Sequence, residues 1–191
     1  MGTAFSSNRG DQRSHGVNAV RRLTEADAAE FWRLRREALE REPASFGESV
    51  EEHLKISPAM IAERLRANSE IVVYGAFDHG ALVATAGFYR EQRIKRRHKG
   101  TVWGVYVDPG YRGRGLGRAV ITALLDSVRA LPDLKSVYLS VTSTQSPARN
   151  LYVSLGFRPF GIEPHALAVD GRYFDEEHLI LELEPATGPR S

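Results

Sequence analysis

Val105-Tyr106-Val107-Asp108-Pro109-Gly110-Tyr111-Arg112-Gly113-Arg114-Gly115-Leu116-Gly117-Arg118 is the stretch on which the fold turns. A β-rich apolar run stops at Asp108-Pro109, because proline lacks the N–H that a strand ladder needs. A turn of alternating arginine and glycine follows. Beyond it Val120, Ile121, Leu124, Leu125 and Val128 recur at the period of an amphipathic helix. The segment therefore reads as strand, glycine turn, helix. Glycine lets the backbone approach a ligand, and the first amides of a helix lack internal partners. Both facts favour an anion, most naturally a diphosphate, on that helix start. Arg112, Arg114 and Arg118 supply guanidinium groups suited to phosphate oxygens.

The spacing separates this turn from two better-known phosphate sites. A dinucleotide fingerprint needs G-x-G-x-x-G, whereas Gly113, Gly115 and Gly117 are spaced by two. A P-loop needs Gly-Lys-Ser/Thr, and here Arg118-Ala119 follows Gly117. A tight connection that binds nothing is the remaining alternative. Three arginines so close together would repel one another without an anion.

Working outward, residues 17–23 are expected to form a first strand. Thr24, with Asp27 three residues on, opens a helix over 25–40 that carries Phe31, Leu34, Ala38 and Leu39. Ser57-Pro58 starts a second helix, with Met60, Ile61 and Leu65. Strands follow over 71–77 and 81–89, joined by the hairpin signal Asp78-His79-Gly80, and over 101–107. After the glycine-turn helix come a strand over 136–141 and a short helix over 147–155 that ends at Gly156. Strands over 166–169 and 172–183 flank the turn Asp170-Gly171. The order predicts a single α/β domain over 17–184 with a mixed sheet, about seven strands and four helices. Flexible tails over 1–16 and 185–191 complete the chain.

The bulk composition sets limits. With 26 basic and 24 acidic residues the net charge is +2, too balanced to imply nucleic acid by itself. The absence of cysteine excludes disulfides, a cysteine nucleophile and thiolate metal sites, and fits a reducing, cytoplasmic setting. No apolar run reaches membrane-spanning length, and residues 1–16 lack the apolar core of a signal peptide. Met1-Gly2-Thr3-Ala4-Phe5-Ser6 matches the short myristoylation pattern, but no polybasic block follows it.

Arg112-Gly113-Arg114-Gly115-Leu116-Gly117 resembles the R/Q-x-x-G-x-G/A motif of the GNAT N-acetyltransferases. Downstream, Gln145-Ser146-Pro147-Ala148-Arg149-Asn150-Leu151-Tyr152 with Gly156-Phe157 is similar to that family's N-x-x-A-x-x-L-Y…G-F segment. The two occur in the family's order and spacing, and the element order agrees with the GNAT-like acyltransferase fold. The resemblance implies acetyl-coenzyme A as co-substrate. It places the pyrophosphate on Arg112, Gly113, Arg114, Gly115, Leu116, Gly117 and Arg118, with Gln145 where the family usually has asparagine.

Acetyl transfer from a thioester to an amine needs three things: a donor for the carbonyl's developing charge, a neutral amine, and a proton for the departing thiolate. By resemblance the first falls to backbone N–H groups near Val105, Tyr106 and Val107, on a strand expected to splay from its neighbour and admit the pantetheine arm. Tyr152 is the candidate acid. Ala148, Leu151, Tyr152 and Leu155 share one helical face, so a core tyrosine with a satisfied hydroxyl is the alternative. With a phenol pKa of about 10 and a thiol pKa of about 8.5, full proton transfer costs about 2 kcal/mol, and a hydrogen bond to the thiolate would suffice. Direct transfer in a ternary complex requires no enzyme nucleophile and no metal.

The base is less defined. The strand over 101–107 carries no acid, which leaves Glu48, Glu51, Glu52, His165, Asp175, Glu176, Glu177 and His178 as candidates, or a water chain. Phe46, Glu48 and Glu51 lie in a segment that resembles the acceptor side of many bacterial members, where a carboxylate would suit a cationic amine. Residues 90–99 hold six basic side chains and one acid, read either as a solvated hairpin loop or as a lip that attracts anions. The leading expectation is an N-acetyltransferase acting on a primary amine of a small molecule or peptide. An acyl-coenzyme A sensor on the same fold and a nucleic-acid module using the basic loop are the competitors; nucleic acid and membrane are not expected partners, and a homodimer stays open.

Overall fold

The computed structural model describes residues 19–66 and 70–183. The tails expected over 1–16 and 185–191 lie outside the described residues. Seven strands form one mixed sheet: β1 (Ala19–Arg22), β2 (Ile71–Asp78), β3 (Ala81–Arg90), β4 (Lys99–Val107), β5 (Ser136–Thr142), β6 (Arg158–Val169) and β7 (Arg172–Glu182). Their spatial order is β1-β2-β3-β4-β5-β7-β6, and β4 with β5 is the parallel pair. The helices are α1 (Ala28–Arg41), α2 (Val50–His53), α3 (Pro58–Leu65), α4 (Leu116–Arg129) and α5 (Ser146–Ser154). This is the expected mixed α/β fold of seven strands and four longer helices, with α2 as one added turn.

The helical stripes read from sequence decide which face each helix covers. Val120, Ile121, Leu124, Leu125 and Val128 of α4 bury against Val72, Ala84, Ala86 and Phe88 on one face of the sheet. Phe31, Leu34 and Ala38 of α1, with Ile61 and Leu65 of α3, pack against Val73, Phe77 and Leu82 on the other. Each such side chain contributes about 1.5–3 kcal/mol of gross burial energy, so the two layers hold the central strands rigidly. Among the described residues no helix is long and apolar enough to cross a membrane.

Three boundaries differ from expectation. The helix over 25–40 opens with a 3-10 turn at Glu25–Asp27, because the Asp27 carboxylate folds back to accept bonds from the Thr24 amide (2.8 Å) and hydroxyl (3.0 Å). Helix α2 arises from a reciprocal cap: Ser49 accepts from the Glu52 amide, and Glu52 accepts from the Ser49 amide. Strand β6 starts at Arg158, well before the expected 166. It is the sheet edge, exposed along most of its length, so it lacks the apolar alternation that marks a half-buried strand.

Candidate active site

Strands β4 and β5 pair only through Lys99–Thr101 against Ser136–Tyr138, and no pairing continues beyond. The expected splay is present. Opposite β3 the register also breaks: Thr85 faces Tyr106 and Gly87 faces Trp103, so Gly104 and Val105 together oppose Ala86. This is a β-bulge, with Gly104 in the left-handed region at φ +60°. Thr85 Oγ1 donates to the Gly104 carbonyl at 3.0 Å. In a trans peptide the C=O and the following N–H point in opposite directions. With the carbonyl held toward β3, the Val105 N–H is turned toward the gap beside β5.

The glycine turn closes the top of that gap. Asp108 ends β4, and its carboxylate caps the Gly110 amide at 2.8 Å in a 3-10 turn over Pro109–Tyr111. Gly113 (φ +75°) and Gly115 (φ +77°) adopt left-handed backbone, and a Cβ on either would meet nothing within 4 Å. Gly115 is the N-cap of α4 and supplies no side-chain cap, so the first amides of the helix stay available. Gly117 has a different reason to be glycine: its Cβ would come within 3.2 Å of Leu151 Cδ2 and 3.6 Å of Val107 Cγ2. A larger residue there would crowd these two side chains, which line the cleft.

A cleft of about 420 Å³ runs from this turn down the splay. Val105, Tyr106, Val107, Arg112, Gly113, Gly115, Leu116, Gly117, Arg118, Gln145 and Tyr152 all line it, so the structure brings together nearly every expected cofactor residue. Arg114 is the exception. Its guanidinium stacks on Tyr111 with 5.0 Å to the ring centre and donates to the Gly110 carbonyl, so it braces the turn and does not line the cleft. The expected mutual repulsion of the three arginines is offset internally at one of them, since Arg112 pairs with the Glu42 carboxylate, while Arg118 donates to the neutral Ser154 Oγ at 2.6 Å. The open glycine cradle, the uncapped amides and the apolar wall of Val105, Val107, Leu116, Ala148 and Leu151 suit a diphosphate with a long, mostly apolar arm.

Tyr152 lies at the bottom of the cleft, its residue 6% exposed and its ring edge-on to Phe157. Among the described residues its hydroxyl has no hydrogen-bond partner, so it is not the satisfied core tyrosine that spacing alone allowed. Burial holds the phenol well above the ordinary tyrosine range, keeping it protonated. A second cavity of about 90 Å³ continues past Tyr152 between Phe46, Trp103, Gly104 and Val105. Gln145 lines both spaces and donates to Ser45 Oγ at 2.8 Å, while Thr142 Oγ1 donates to the Ala44 carbonyl at 2.7 Å. These two bonds staple the segment after α1 to β5 and α5.

The acceptor-side expectations divide. Phe46 lines the second cavity, edge-on to Tyr106 and beneath the Arg35 guanidinium. Glu48 is not a free acid facing an amine, because Arg35 Nε and Nη2 each lie 2.9 Å from its Oε2. Burial lowers the Arg35 pKa, and Glu48 opposes that shift. Glu51 is exposed and lines only an outer groove shared with residues 166–169 of β6 and Asp170 of the turn after it. Four of the other base candidates are engaged elsewhere: Glu52 in the α2 cap, Glu177 with Arg149, His178 with Glu163, and Asp175 with the His165 amide. Glu176 and His165 line neither the cleft nor the cavity past Tyr152.

The carboxylate that does line both parts of the cleft is Glu42, at the end of α1, and sequence reasoning missed it. Its signal is the Glu42-Pro43 pair, which ends the helix and turns the chain across the splay. Tyr106 lies nearby, its phenol pushed up to about 12 by burial and then by the Glu37 and Glu42 carboxylates. The basic segment is not a lip over the glycine turn. It sits at the opposite end of β4, and Arg90 is buried, donating to the Arg97 and Pro132 carbonyls. Arg96 pairs with Glu91 and Arg97 with Glu70.

The acetyltransferase (GNAT) family model matches residues 29–157. The N-alpha-acetyltransferase RimI of Mycobacterium tuberculosis is 37% identical over 97 residues, covering 51% of this chain and 58% of that protein. The chain spans 30 to 58% of the length of the first curated relatives it matches. Among solved structures, a GNAT-family acetyltransferase from Streptococcus pneumoniae superposes with a TM-score of 0.78 at 20% identity, over 86% of this chain and 98% of that one. A phosphinothricin acetyltransferase from Sinorhizobium meliloti, solved with acetyl-coenzyme A, gives 0.76 at 22% identity, over 90% and 91%. The bulged β4, the glycine cradle and Tyr152 all fall inside the family match, and the chain belongs to the GNAT acetyltransferase family.

Proposed function

We propose that the protein is an acetyl-coenzyme A-dependent N-acetyltransferase that moves the acetyl group directly to a primary amine of a small molecule or peptide within a ternary complex. The observation that carries this reading is one continuous cleft, with the glycine cradle at one end and, at the other, a phenol unpartnered among the described residues. Acetyl-coenzyme A, when bound, supplies the activated acetyl thioester. The residues that would hold its pyrophosphate are Gly113, Gly115, Leu116, Gly117 and Arg118, with Arg112 beside them. Membership of the family and the relatives' names support the class of reaction.

The chain's own groups then divide the work. The Val105 N–H, aimed by the Thr85 bond, acts as the fixed donor for a carbonyl oxygen in the splay, a role in which preorganised dipoles are most effective. Tyr152 Oη keeps its proton and offers it to the sulfur as a hydrogen bond. Glu42 is reached from both cavities and is paired with Arg112; once that arginine turns to the phosphates, Glu42 accepts the proton of the acceptor ammonium, directly or through a water. Phe46, Trp103 and Tyr106 keep the surroundings apolar and so favour a neutral amine.

Incubation with acetyl-coenzyme A and a panel of amines and peptides, monitored as free thiol, tests the proposal. The protein has no cysteine, so every thiol detected is released coenzyme. Amine-dependent release is the expected result. Tight cofactor binding with no release for any acceptor would assign the chain to the sensor reading.

A further inference from the structure

Glycine gives the cradle its shape but no stiffness. Gly113 and Gly115 take left-handed backbone into open space, so neither is held by packing of its own, and glycine loses more backbone freedom on ordering than any other residue. Whatever keeps the turn in place must therefore act on it from outside. Arg112 and Arg118 reach Glu42 and Ser154 only through solvent-exposed bonds. Two further ties run from the turn into the β2–β3 hairpin. The Asp108 amide donates to the Val83 carbonyl at 2.9 Å, and the Tyr111 hydroxyl donates to Asp78 Oδ2 at 2.7 Å. The first fixes the start of the turn and the second its middle. Arg114 then stacks on the anchored Tyr111 ring and bonds the Gly110 carbonyl at 3.0 Å. Tyr111 also lines the cofactor cleft, so the side chain that reaches Asp78 is part of the cleft wall.

Asp78 is an unusual residue to find at the end of β2. It is 5% exposed, next to the buried Phe77. Its Oδ1 is buried and has no hydrogen-bond partner among the described residues, and the neighbouring His79 Nε2 stands off at 3.7 Å, too far for a hydrogen bond. A carboxyl group buried on one hydrogen bond costs stability, because its desolvation is only partly offset. Replacing a buried ionic group by an apolar one of similar volume is often neutral or stabilising. Asp78 therefore secures something that fold stability alone does not require, and the group it grips is the Tyr111 hydroxyl.

We infer that Asp78 is a positioning residue for the cofactor: by gripping Tyr111 it holds the glycine turn in its anion-binding shape, and so raises the affinity for acetyl-coenzyme A without taking part in the transfer. The inference rests on the coenzyme reading of the glycine turn. Its physical basis is preorganisation, since a turn already fixed loses less backbone freedom when the pyrophosphate arrives. Released from Asp78, Tyr111 and the Arg114 stacked on it are free to move together, and each incoming ligand must order the amides again. The effect is confined to binding. The Val105 amide is aimed by Thr85, and Tyr152 packs on Phe157, neither of them through Asp78.

Calorimetry with acetyl-coenzyme A and with coenzyme A, beside melting curves, tests this at a temperature where every variant is folded. Asp78→Leu removes the acceptor, Tyr111→Phe removes the donor, and Asp78→Asn replaces the acid by an amide that keeps an oxygen for the hydroxyl. Asp78→Leu and Tyr111→Phe are each expected to weaken binding about five- to tenfold, and Asp78→Asn to stay within about twofold of the unsubstituted protein. The melting temperature of Asp78→Leu should be unchanged or raised, which separates lost affinity from lost stability. The double variant should bind no more weakly than either single one, because both cut the same bond. In thiol release the KM for acetyl-coenzyme A should rise by the same factor, with kcat changed by less than about twofold. Should Asp78→Leu fail to fold, Tyr111→Phe against Asp78→Asn makes the same comparison. Unchanged affinity in Asp78→Leu and Tyr111→Phe overturns the inference. So does a loss that Asp78→Asn shares in full, that tracks melting temperature across the variants, or that adds in the double variant. No binding of either ligand by the unsubstituted protein overturns the coenzyme reading itself, an outcome distinct from equal binding by protein and variants.

Discussion

Thr85 Oγ1 donates a 3.0 Å hydrogen bond to the Gly104 carbonyl, and through it β3 fixes the direction of one peptide on β4. Thr85 is 3% exposed, so the bond is shielded from competing water. It acts on the reaction through the Val105 amide, which makes Thr85 a positioning residue. Thr85→Val keeps the shape and removes the donor. Turnover should fall about tenfold, equivalent to about 1.4 kcal/mol of lost transition-state stabilisation, with the KM for acetyl-coenzyme A little changed. Thr85→Ser should restore most of the rate. Equal losses in both variants, tracking their melting temperatures, would reduce the bond to a structural one.

Tyr152→Phe removes a hydroxyl with no partner among the described residues, so the fold should lose less than about 1 kcal/mol. Turnover should drop well over tenfold by our estimate of about 2 kcal/mol for the lost hydrogen bond to the sulfur. Cofactor affinity, read by calorimetry, should hardly change. Because burial raises the phenol pKa, Tyr152 stays neutral to higher pH than a free tyrosine. Any alkaline loss of kcat that sets in below about pH 10 must then come from another group and must persist in Tyr152→Phe.

Gly115 and Gly117 should fail differently. Gly115→Ala puts a side chain at φ +77° into open space, so its cost is backbone strain of about 1–2 kcal/mol at the α4 cap. The KM for acetyl-coenzyme A should rise more than kcat falls. Gly117→Ala adds a methyl 3.2 Å from Leu151 Cδ2, so the Leu151 side chain, one residue from Tyr152 on α5, must shift by a few tenths of an ångström. There kcat should fall as well, and steady-state kinetics on the pair separates cradle from packing.

Glu42 and Arg112 form an ion pair across the mouth of the cleft. Glu42→Gln frees Arg112 for phosphate and removes the carboxylate that lines both cavities. The KM for acetyl-coenzyme A should stay level or fall while turnover at neutral pH drops, with partial recovery at higher pH as the amine loses its proton unaided. Arg112→Ala should do the reverse, raising that KM chiefly. A Glu42→Gln enzyme with an unchanged pH–rate profile would remove Glu42 from the proton path.

Asp27 carries a stability prediction. Its carboxylate takes two 2.7 Å bonds from Arg21 and two from Thr24, and the Arg21 bonds lead in holding its pKa down at about 2. A pKa lowered by folding stabilises the protein above the unfolded value of about 3.9, and that contribution disappears as pH falls through about 2. Arg21 is 45% exposed, so solvent screening limits the gain to about 1–2 kcal/mol. Asp27→Asn should lose that much at pH 7 in urea melts and show a flatter stability profile between pH 4 and pH 2, as expected for a shift of roughly this size.

Much of the fold was legible because periodicity survives in the sequence wherever one face of an element is buried. The α4 stripe, the β2–β3 hairpin and the Asp108-Pro109 stop all appear where they were expected. Strand β6 was legible only in part because an exposed edge strand has no buried face to leave a pattern. Helix α2 is held by its caps rather than by a stripe, and a single helical turn is too short to show one.

The site divides along a similar line. Backbone-driven features are local: glycines that need left-handed φ, an uncapped helix start and a strand-ending proline are written in consecutive residues. The sequence by itself therefore determined the cradle at Gly113 and Gly115, the family motif and the candidate phenol at Tyr152. Side-chain pairing is not local. Whether Glu48 is free depends on Arg35, thirteen residues earlier in the chain; Arg112 meets Glu42 from a distant helix end, and the Val105 amide takes its direction from Thr85 on another strand. Charge and hydrogen bonding act across space over a few ångströms, and only the tertiary structure decides which groups come that close.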